Sequence, residues 1–348
     1  MLLNSDNQNI ANEPMIDKNQ QASACSSCSN ISFTRLFAGY DFDTGTKTFN
    51  AEKCNNCGLV RTSPLLNSEA LAPYYDINYY GSPDKKFGSL IESWIIFSNN
   101  RLATKILNDI NKEVRLNIAG ESLRVIDIGC GRANLLKAFD RRGCTCYGVE
   151  RSDFPDDSGL ENITIYKQDF LDVDIPDNSL DIAVIWHVLE HLSDPASVIK
   201  KLNKVLKPGG NLIISVPNFG SLQSKISGKH WFHLDLPRHT YHFTLEVLSE
   251  ILKTSGFEVR QVSTKSFDQG IYGFIQSVLN RLFPNHPNTL YSMLKKTRKR
   301  PGIFMSATQL ILAGILLPVA LVEYLISWFT GTGACLTVRA TKPNNSSK

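Results

Sequence analysis

The stretch V-I-D-I-G-C-G-R-A-N-L-L at residues 125–136 decides the fold. It contains an apolar run, a turn with two glycines and a segment with helical apolar spacing. Gly129 and Gly131 let the backbone turn sharply and approach a ligand, which then faces the N–H groups that open the helix. Glu150 follows nineteen positions after Gly131, at the end of the next apolar run. In a doubly wound sheet this carboxylate reaches the same crevice and can hold both ribose hydroxyls, so the pattern predicts a nucleoside site.

Strand-like and helix-like segments alternate on both sides of this turn. The strand-like segments are short apolar runs, which is typical of strands buried on both faces. They cover residues 123–128, 144–149, 163–166, 180–186, 211–216 and 334–342. The helix-like segments are closed by glycine or opened by proline and cover residues 133–143, 195–210 and 244–257. This alternation predicts an α/β fold in which helices cover both faces of a doubly wound sheet.

Length and composition limit the classes of protein that fit. The 348 residues suggest about two domains. Hydrophobic residues make up 42% and charged residues 20%, so a packed core is expected and a wholly disordered chain is excluded. The net charge of +4 is too small to indicate nucleic acid by itself, and eight cysteines are too few for a disulfide scaffold. The first twenty residues are polar, so we expect no secretory signal, a cytoplasmic location and reduced thiols.

The residues around the glycines indicate which nucleoside binds. The dinucleotide fingerprint G-x-G-x-x-G has a third glycine where this chain has Asn134, and Asp127 is unlike that fingerprint. The pattern D-x-G-x-G instead resembles class I S-adenosylmethionine (SAM)-dependent methyltransferases. SAM carries a sulfonium ion and a carboxylate but no phosphate, so a turn bordered by Asp127 suits it better than a lysine-rich loop.

The resemblance covers roughly residues 120–265. It implies a Rossmann-like sheet of seven strands in which 334–342 is the last, antiparallel strand. It also implies that Glu150 holds the ribose and that Asp169, in Q-D-F, holds the adenine amino group. L-D-I-A-V-I-W-H-V-L-E-H looks like the fourth strand and its active-site loop. The full set of implied SAM-binding residues is Asp127, Gly129, Gly131, Glu150, Asp169, Phe170 and His187.

Four cysteines form two C-x-x-C pairs, which are Cys25 with Cys28 and Cys54 with Cys57. Four thiolates are a common ligand set of a structural zinc ion, so we predict a zinc ribbon. The gap of 25 residues exceeds the usual range of about 15–20, so the ribbon needs a longer hairpin. Disulfides and redox thiols are the alternatives, and the expected compartment disfavours disulfides. The pairs also resemble those of bacterial methyltransferases with an N-terminal ribbon, some of which act on nucleotide-linked sugars.

Six of the seven histidines lie in two groups, after the fourth strand and within residues 229–243. Loops that follow the strands of such a sheet line its ligand crevice, so the second group is expected to cover the acceptor site. A histidine with a pKa near 6.5 is a natural proton acceptor. The candidate bases are His191, His233 and His239, and a packing role is the alternative for each of them.

The motif H-x-x-E-H at residues 187–191 allows a second mechanism. It resembles the E-x-x-E-H segment of metal-assisted O-methyltransferases, with His187 in place of the first acid. A divalent ion there could polarise an acceptor hydroxyl. The loss of a carboxylate ligand disfavours Mg²⁺, so the metal remains the less favoured alternative.

Residues 303–322 carry no charge and follow the basic run K-K-T-R-K-R at 295–300. Their length meets the criterion for a membrane span, with the basic run on the cytoplasmic side. A single crossing is excluded if the last predicted strand completes the sheet. Pro318 divides the apolar segment, so we predict a hairpin of two short helices, at about 303–316 and 318–329, that contacts one leaflet. Packing as core or in a subunit interface is the alternative.

These features predict five segments along the chain. They are a disordered lead-in, a zinc ribbon, a linker with a helical cap, a SAM-binding domain and a basic, hydrophobic helical-hairpin insertion that contacts the membrane through 295–330. Their respective bounds are 1–22, 23–62, 63–115, 116–270 with 332–342, and 271–331.

The expected function is SAM-dependent methyl transfer to a small-molecule, lipid-linked or nucleotide-linked acceptor, such as a glycan or a quinone precursor. O-methylation is favoured over C-methylation. One alternative is an RNA methyltransferase that uses the ribbon as a clamp. It is disfavoured because the fourth strand ends in I-W-H-V-L-E-H rather than in the [D/N]-P-P-[Y/F] motif used for exocyclic amines. The other alternative is a membrane-bound scaffold without catalytic activity.

Overall fold

The computed structural model describes residues 24–41, 47–75, 89–114, 122–151, 159–294 and 302–344. The predicted lead-in at 1–22 and the basic run at 295–300 lie outside these residues. In chain order the strands are β1 (Phe33–Tyr40), β2 (Thr48–Cys54), β3 (Val60–Ser63), β4 (Arg124–Ile128), β5 (Thr145–Val149), β6 (Ile163–Tyr166), β7 (Leu180–Trp186), β8 (Leu206–Pro217), β9 (Tyr241–His242), β10 (Glu258–Ser263) and β11 (Cys335–Thr341). The helices are α1 (Ser68–Leu71), α2 (Ser89–Val114), α3 (Asn134–Asp140), α4 (Pro195–Val205), α5 (Leu222–Ser227), α6 (Leu245–Thr254), α7 (Phe267–Leu282), α8 (Thr289–Leu294) and α9 (Ile303–Thr330).

A sheet of seven strands forms the centre of the protein, in the order β10-β11-β8-β7-β4-β5-β6. β4 pairs in parallel with β5 and β7, and the β5–β6 and β7–β8 pairs are also parallel. β11 is antiparallel to both of its neighbours, β8 and β10. This confirms the predicted Rossmann-like sheet with an antiparallel last strand.

Helices bury both faces of this sheet. On one face, Ile106 of α2 and Phe139 of α3 pack in a cluster with Val125 of β4. On the other face, Leu202 of α4 and Leu248 of α6 belong to the main core. Strands that are covered on both sides need apolar residues at successive positions, which is why they appear in the sequence as continuous apolar runs.

The strand order switches at β4, which lies between β5 and β7. The strands that follow β4 in sequence are added first on one side of it and then on the other. β4, β5 and β7 all end at the same edge of the sheet because they are parallel. In open α/β sheets, ligands bind in the crevice outside these carboxyl ends, at the point where the strand order switches. The predicted nucleoside turn follows β4 and therefore lies in this crevice.

A second, smaller sheet joins the N-terminal segment to the loops of the main domain, in the order β1-β2-β3-β9. β9 comes from the histidine-rich segment, and its residues pair with β3 as Val60 with His242 and Arg61 with Tyr241. Trp231, which is fully buried, packs in one cluster with Phe49 of β2. The ribbon therefore packs against the histidine-rich segment of the main domain.

The structure corrects the predicted hairpin in the apolar segment. α9 is one continuous helix from Ile303 to Thr330, and Pro318 lies within it. A proline removes one intrahelical hydrogen bond, but the turns on both sides of it pack against a common partner, α7. Leu316 and Tyr324, before and after the proline, both pack against the α7 cluster. This tertiary packing explains why the helix continues through the proline.

The structure also shortens the helix predicted at 195–210, because α4 ends at Val205. The segment L-K-P-G-G is the start of β8, which runs for twelve residues from Leu206 to Pro217. Its register against β7 shifts between the pair Leu180–Leu206 and the pair Ile182–Asn211. The proline and glycines therefore make a bulge inside the strand rather than a separate turn.

Candidate active site and metal centre

The backbone of the glycine turn after β4 allows a ligand to approach it closely. Gly129 and Gly131 have φ angles of +70° and +51°, which favour glycine. A Cβ atom on Gly129 would lie 2.5 Å from a methyl group of Val188. The N–H group of Gly131 donates a 3.0 Å hydrogen bond to Oε2 of Glu150. The structure thus brings the predicted ribose acid against the predicted turn.

A cavity of about 160 Å³ lies beside this turn, and Asp127, Gly129 and Trp186 are among its lining residues. Asp127 is 4% exposed. Burial, with a further contribution from the nearby Glu150, raises the pKa of its carboxyl group to about 8. A ligand with a positive charge in this cavity would favour the ionised carboxylate again.

Asp169 and Phe170 lie next to the crevice in a 3₁₀ turn after β6. The Asp169 side chain caps this turn by accepting a 2.9 Å hydrogen bond from the N–H group of Leu171. Phe170 is 4% exposed and belongs to the main core, where Lys201 Nζ lies 5.1 Å from the centre of its ring. Phe170 therefore anchors the turn that presents Asp169.

A larger cavity of about 450 Å³ is enclosed by α2, the loop after β7, the histidine-rich segment and helices α7 and α8. The predicted histidines from both groups line it. His187 also lines it, although the sequence assigned His187 to the cofactor. Its main lining residues are Trp94, His187, Glu190, His191, His233, Asp235, Arg238, His239, Tyr272, Tyr291 and Leu294. The two cavities are lined by consecutive residues, Trp186 and His187, at the end of β7.

His191 is held with one ring nitrogen engaged. Its Nδ1 lies 3.0 Å from the carbonyl oxygen of Arg238, and a carbonyl only accepts, so Nδ1 carries the hydrogen. Burial, helped by the neighbouring His239, lowers the pKa of His191 to about 4. His239 is fixed in the same way, since its Nδ1 lies 2.9 Å from the carbonyl oxygen of His233. In both rings Nε2 is the nitrogen that remains able to accept a proton.

Glu190 is a buried carboxylate beside these histidines, with 1% exposure. Among the described residues, neither of its oxygens accepts a hydrogen bond. Its Oε1 lies 3.5 Å from Nδ1 of His187, which makes an ion pair. Although burial alone would raise the pKa of Glu190, His187 and the neighbouring histidines lower it to about 2. Burial opposes the charge on His187 as well, but Cys335 and Glu190 raise the pKa of His187 to about 10.

Asp235 and Arg238 form a second buried ion pair in the wall of the cavity. The guanidinium group donates to both carboxylate oxygens of Asp235, and NH1 donates a 3.1 Å hydrogen bond to the carbonyl oxygen of Tyr74. Tyr75 places its hydroxyl group 3.0 Å from Nδ1 of His191. These hydrogen bonds connect the linker before α2 to the loop after β7 and to the histidine-rich segment.

His233 is buried under α7, where its Nε2 donates to the carbonyl oxygen of Gln269 across 3.2 Å. Burial lowers its pKa to about 4. Its ring also packs edge-on against Trp231 and Phe232. These contacts hold the His233 ring in the cavity wall, and its role as a base stays a prediction.

The four ribbon cysteines converge on one point. Their sulfur atoms lie within 4.8 Å of one another, and all four are free thiols rather than disulfides. The Cys25–Cys57 and Cys28–Cys54 sulfur pairs are 3.5 and 3.6 Å apart. A tetrahedral zinc ion with Zn–S bonds of about 2.3 Å separates its ligands by roughly 3.8 Å. The donor set and its spacing therefore fit such an ion.

Comparison with known proteins gives the family. Residues 100–262 match the family model described as a methyltransferase domain. Ubiquinone biosynthesis O-methyltransferase of Pseudomonas fluorescens (strain SBW25) is 30% identical over 177 residues, which cover 45% of this chain and 73% of that protein. The protein of the same name from Marinobacter nauticus is 28% identical over 186 residues, which cover 47% of this chain and 77% of that protein. This chain belongs to the class I SAM-dependent methyltransferases.

Solved structures of methyltransferases also align with this methyltransferase. A putative sarcosine dimethylglycine methyltransferase from Galdieria sulphuraria aligns with a TM-score of 0.44 at 16% identity, covering 71% of this chain and 85% of that one. Phosphoethanolamine N-methyltransferase 2 of Haemonchus contortus aligns with a TM-score of 0.43 at 17% identity, covering 70% and 53%.

Several residues of the methyltransferase cavity were not predicted from the sequence. Glu190 was noted only as part of H-x-x-E-H. The ion pair of Asp235 and Arg238 could have been predicted, because opposite charges at i, i+3 spacing often pair. Tyr75 had no such signal, because its partner His191 is 116 positions away. Contacts at that separation depend on the tertiary fold.

The buried histidines predict how the stability of the methyltransferase depends on pH. Burial lowers the pKa of His191 and His233 to about 4 and that of His242 to about 3, whereas Asp127 is raised to about 8. Between pH 6.5 and 4 the unfolded chain binds protons at three histidines that stay neutral when folded, and the folded chain holds one extra proton on Asp127. Net proton uptake on unfolding means that the free energy of unfolding falls on acidification, by about 1–3 kcal/mol per pH unit at most. Urea denaturation of the ligand-free protein at pH 6.5 and 5 measures this, and equal midpoints would contradict it.

Proposed function

We propose that this methyltransferase binds SAM at the glycine turn and methylates a hydroxyl oxygen of a small or lipid-linked acceptor in the 450 Å³ cavity. The two cavities adjoin at Trp186 and His187, so a methyl group donated from one is within reach of an acceptor in the other. The apolar and aromatic lining suits a quinone-like ring or chain. The relatives are named as O-methyltransferases of ubiquinone biosynthesis, which supports oxygen rather than carbon as the acceptor atom.

The residues around the turn divide the binding of SAM among them. Glu150 would hold the ribose hydroxyls, because its carboxylate already faces the turn. Asp127 would face the positive charge of SAM from the smaller cavity. Asp169 would hold the adenine amino group, with Phe170 fixing its turn from the core. Gly131 leaves open space for the ligand, since no atom lies within 4 Å of the site of a Cβ there.

His191 would remove the acceptor proton. SAM supplies an electrophilic methyl group on a positively charged sulfur. The acceptor oxygen attacks the methyl carbon in line, the carbon–sulfur bond breaks and its electron pair stays on the sulfur. The hydroxyl proton goes to Nε2 of His191, because Nδ1 already donates to Arg238. The observation that carries this proposal is a neutral, oriented imidazole in an aromatic cavity beside the nucleoside turn.

Glu190 would stabilise the proton transfer. It is a buried carboxylate near His191, and its negative charge favours the imidazolium form of that ring. Its ion pair with His187 keeps the carboxylate charged in the cavity. His239 is the alternative base, since its Nε2 is similarly left to accept a proton.

A metal-assisted mechanism is a second candidate for the same step. Glu190, His191 and His239 each offer a ligand atom within 4.8 Å of the others. A divalent ion held there would polarise the acceptor hydroxyl. Metal analysis of the purified protein separates the mechanisms, because the cysteine site accounts for one zinc ion per chain and a second site would add another ion.

Replacing His191 by phenylalanine is expected to lower kcat by two to four orders of magnitude, which is the usual contribution of a general base. Binding of SAM, measured by calorimetry, is expected to change less than threefold because His191 lines only the acceptor cavity. His230→Phe is the matched control, since His230 lies in the neighbouring histidine-rich segment but does not line the cavity. A variant that retains full activity would exclude His191 as the base.

The acceptor class is tested by incubating the enzyme and methyl-labelled SAM with a cell extract that is then separated into lipid, polysaccharide and RNA. Label in the lipid fraction, in an ether that resists alkaline hydrolysis, is the expected result. Label confined to RNA would support the clamp alternative and contradict the proposal.

Zinc would be held by Cys25, Cys28, Cys54 and Cys57 in the ribbon, and its contribution would be structural. Four protein ligands close the coordination shell, which leaves no open position for catalysis. The ribbon would be linked to the reaction through β3, which pairs with β9 of the histidine-rich segment.

A further inference from the structure

The longest helix of the described chain, α9, is the most apolar one. It has 28 residues, a window of mean hydropathy 2.3 and one charged residue, Glu323. At 1.5 Å per residue its length is about 42 Å. Only 17% of that window is buried in the protein, so α9 differs from an apolar helix of a soluble core.

The polar and apolar sides of α9 are inverted relative to a soluble surface helix. Its buried side carries Gln309, Glu323 and Ser327, which are exposed by 0%, 6% and 2%. Glu323 accepts hydrogen bonds from Gln223 Nε2 at 3.0 Å and from Ser327 Oγ at 2.7 Å. A soluble helix turns its charged residues to water and its apolar stripe to the core. In α9 the protein hydrogen-bonds Glu323 and Ser327 on the buried side, and large apolar side chains point outward.

The outward side is a continuous apolar surface. Thirteen large apolar side chains of α9 are exposed, and no charged residue interrupts them. One stripe at helical spacing runs from end to end, and we call it the outer stripe. It consists of Phe304, Ile311, Ile315, Val322, Ile326 and Phe329. Single exposed apolar residues need no partner, but a continuous surface of this length does.

The charges near α9 favour an anionic partner. The sequence K-K-T-R-K-R at residues 295–300 ends just before the helix and carries five positive charges. Near the other end, Lys265 Nζ lies 4.8 Å from the centre of the Trp328 ring. Tryptophan with lysine is a typical pair where a protein meets lipid headgroups. A second copy of this chain would bring the same positive charges into opposition, whereas anionic headgroups complement them.

The connections of α9 to the sheet fix its orientation. β11 begins five residues after the helix ends and pairs with β8, so that end of α9 is tied to the sheet. α7, which precedes it, starts four residues after β10 and has only 16 residues, or about 24 Å. A helix of that length does not cross a hydrocarbon core of about 30 Å, and α9 is the one candidate span among the described residues. These constraints favour a helix that lies in the plane of the membrane.

We propose that α9 docks on an anionic lipid bilayer and lies along its surface, with the outer stripe among the acyl chains and Lys265 and Trp328 at the headgroups. An interfacial helix of this kind binds through its buried apolar area and through attraction to anionic lipid. Gln309, Glu323 and Ser327 are already covered by the protein, so docking places none of these three polar side chains in lipid.

The test is flotation of the full-length protein with vesicles of phosphatidylglycerol and phosphatidylcholine. The wild-type protein is expected to float, and Ile311→Asp with Ile315→Asp is expected to reduce the floating fraction at least tenfold. These side chains are 65% and 64% exposed, so the substitutions leave the core intact. Ile31→Asp is the matched control, because Ile31 is 73% exposed on the ribbon and is expected to leave flotation unchanged.

Two further measurements complete the test. Vesicles of phosphatidylcholine alone, or 0.5 M salt, are expected to weaken binding severalfold if Lys265 contacts headgroups. Light scattering without lipid shows whether a second copy of this chain, rather than lipid, covers the outer stripe. A stable dimer that the double substitution dissociates, with no flotation of the wild-type protein, would overturn the proposal. Since no methyl transfer is measured, neither result bears on the proposed reaction.

Discussion

Replacing Gly131 by alanine is expected to weaken SAM binding at least tenfold, whereas Gly143→Ala leaves it unchanged. The two glycines are matched in their backbone, with φ angles of +51° and +78°. Neither would bring a Cβ within 4 Å of another atom of the protein. The strain of a left-handed alanine, about 1 kcal/mol, is therefore similar at both sites. Only the methyl group at residue 131 would collide with a ligand over the turn.

Isothermal calorimetry with SAM measures the difference, and thermal denaturation controls for the shared strain. Glu150→Ala is expected to act in the same direction, because the loss of hydrogen bonds to a charged acceptor costs about 1.5–3 kcal/mol each. Equal affinities for the wild-type protein and all three variants would place the ligand elsewhere. If the wild-type protein gives no heat at all, the scaffold alternative gains support.

Loss of the zinc ion proposed for the ribbon is expected to lower the methyl-transfer rate at least a hundredfold while SAM affinity changes less than threefold. Thr240 explains the direction of this effect. Its carbonyl oxygen accepts a 2.9 Å hydrogen bond from the N–H group of Thr62 in β3, and its own N–H group donates a 2.8 Å bond to the carbonyl oxygen of Glu190. β3 follows the second cysteine pair directly. A loosened ribbon thus shifts the catalytic loop, where a displacement of 1 Å can cost about a hundredfold.

Cys54→Ser tests this expectation, with Cys144→Ser as the control at a buried thiol of the main domain. Metal content is read by mass spectrometry, and tryptophan fluorescence reports the packing of Trp231 against the ribbon. Loss of zinc should shift the emission to the red. An enzyme that loses its zinc but keeps its rate would show that the ribbon and the reaction are independent.

The sequence predicts the nucleoside turn well because its signals are local. Two glycines after an apolar run determine a turn, and the pattern of parallel strands then places Glu150 opposite it. Pro318 shows the limit of local reasoning, since its helix-breaking tendency yields to packing against α7. Which side of α9 faces outward also depends on α7, because the sequence does not show whether Gln309, Glu323 and Ser327 face water or the protein.

For the histidines, too, the sequence predicts the location but not the individual contacts. Their number and their positions after strands predict that they gather at the crevice, and the structure brings four of them to one cavity. Their individual roles depend on distant partners, such as the carbonyl oxygen of Arg238 for His191 and that of Gln269 for His233. No periodicity or spacing encodes these contacts.

The pairing of β3 with β9 has a consequence for biosynthesis. The first three strands of the small sheet leave the ribosome early, but their fourth partner is 180 or more positions further along the chain, as the Val60–His242 and Arg61–Tyr241 pairs show. The metal-binding module therefore stays unfinished during most of translation, with an open strand edge that invites aggregation. A shortened gene product that starts after the ribbon would meet the converse problem, since Trp231 would lose the Phe49 side of its cluster.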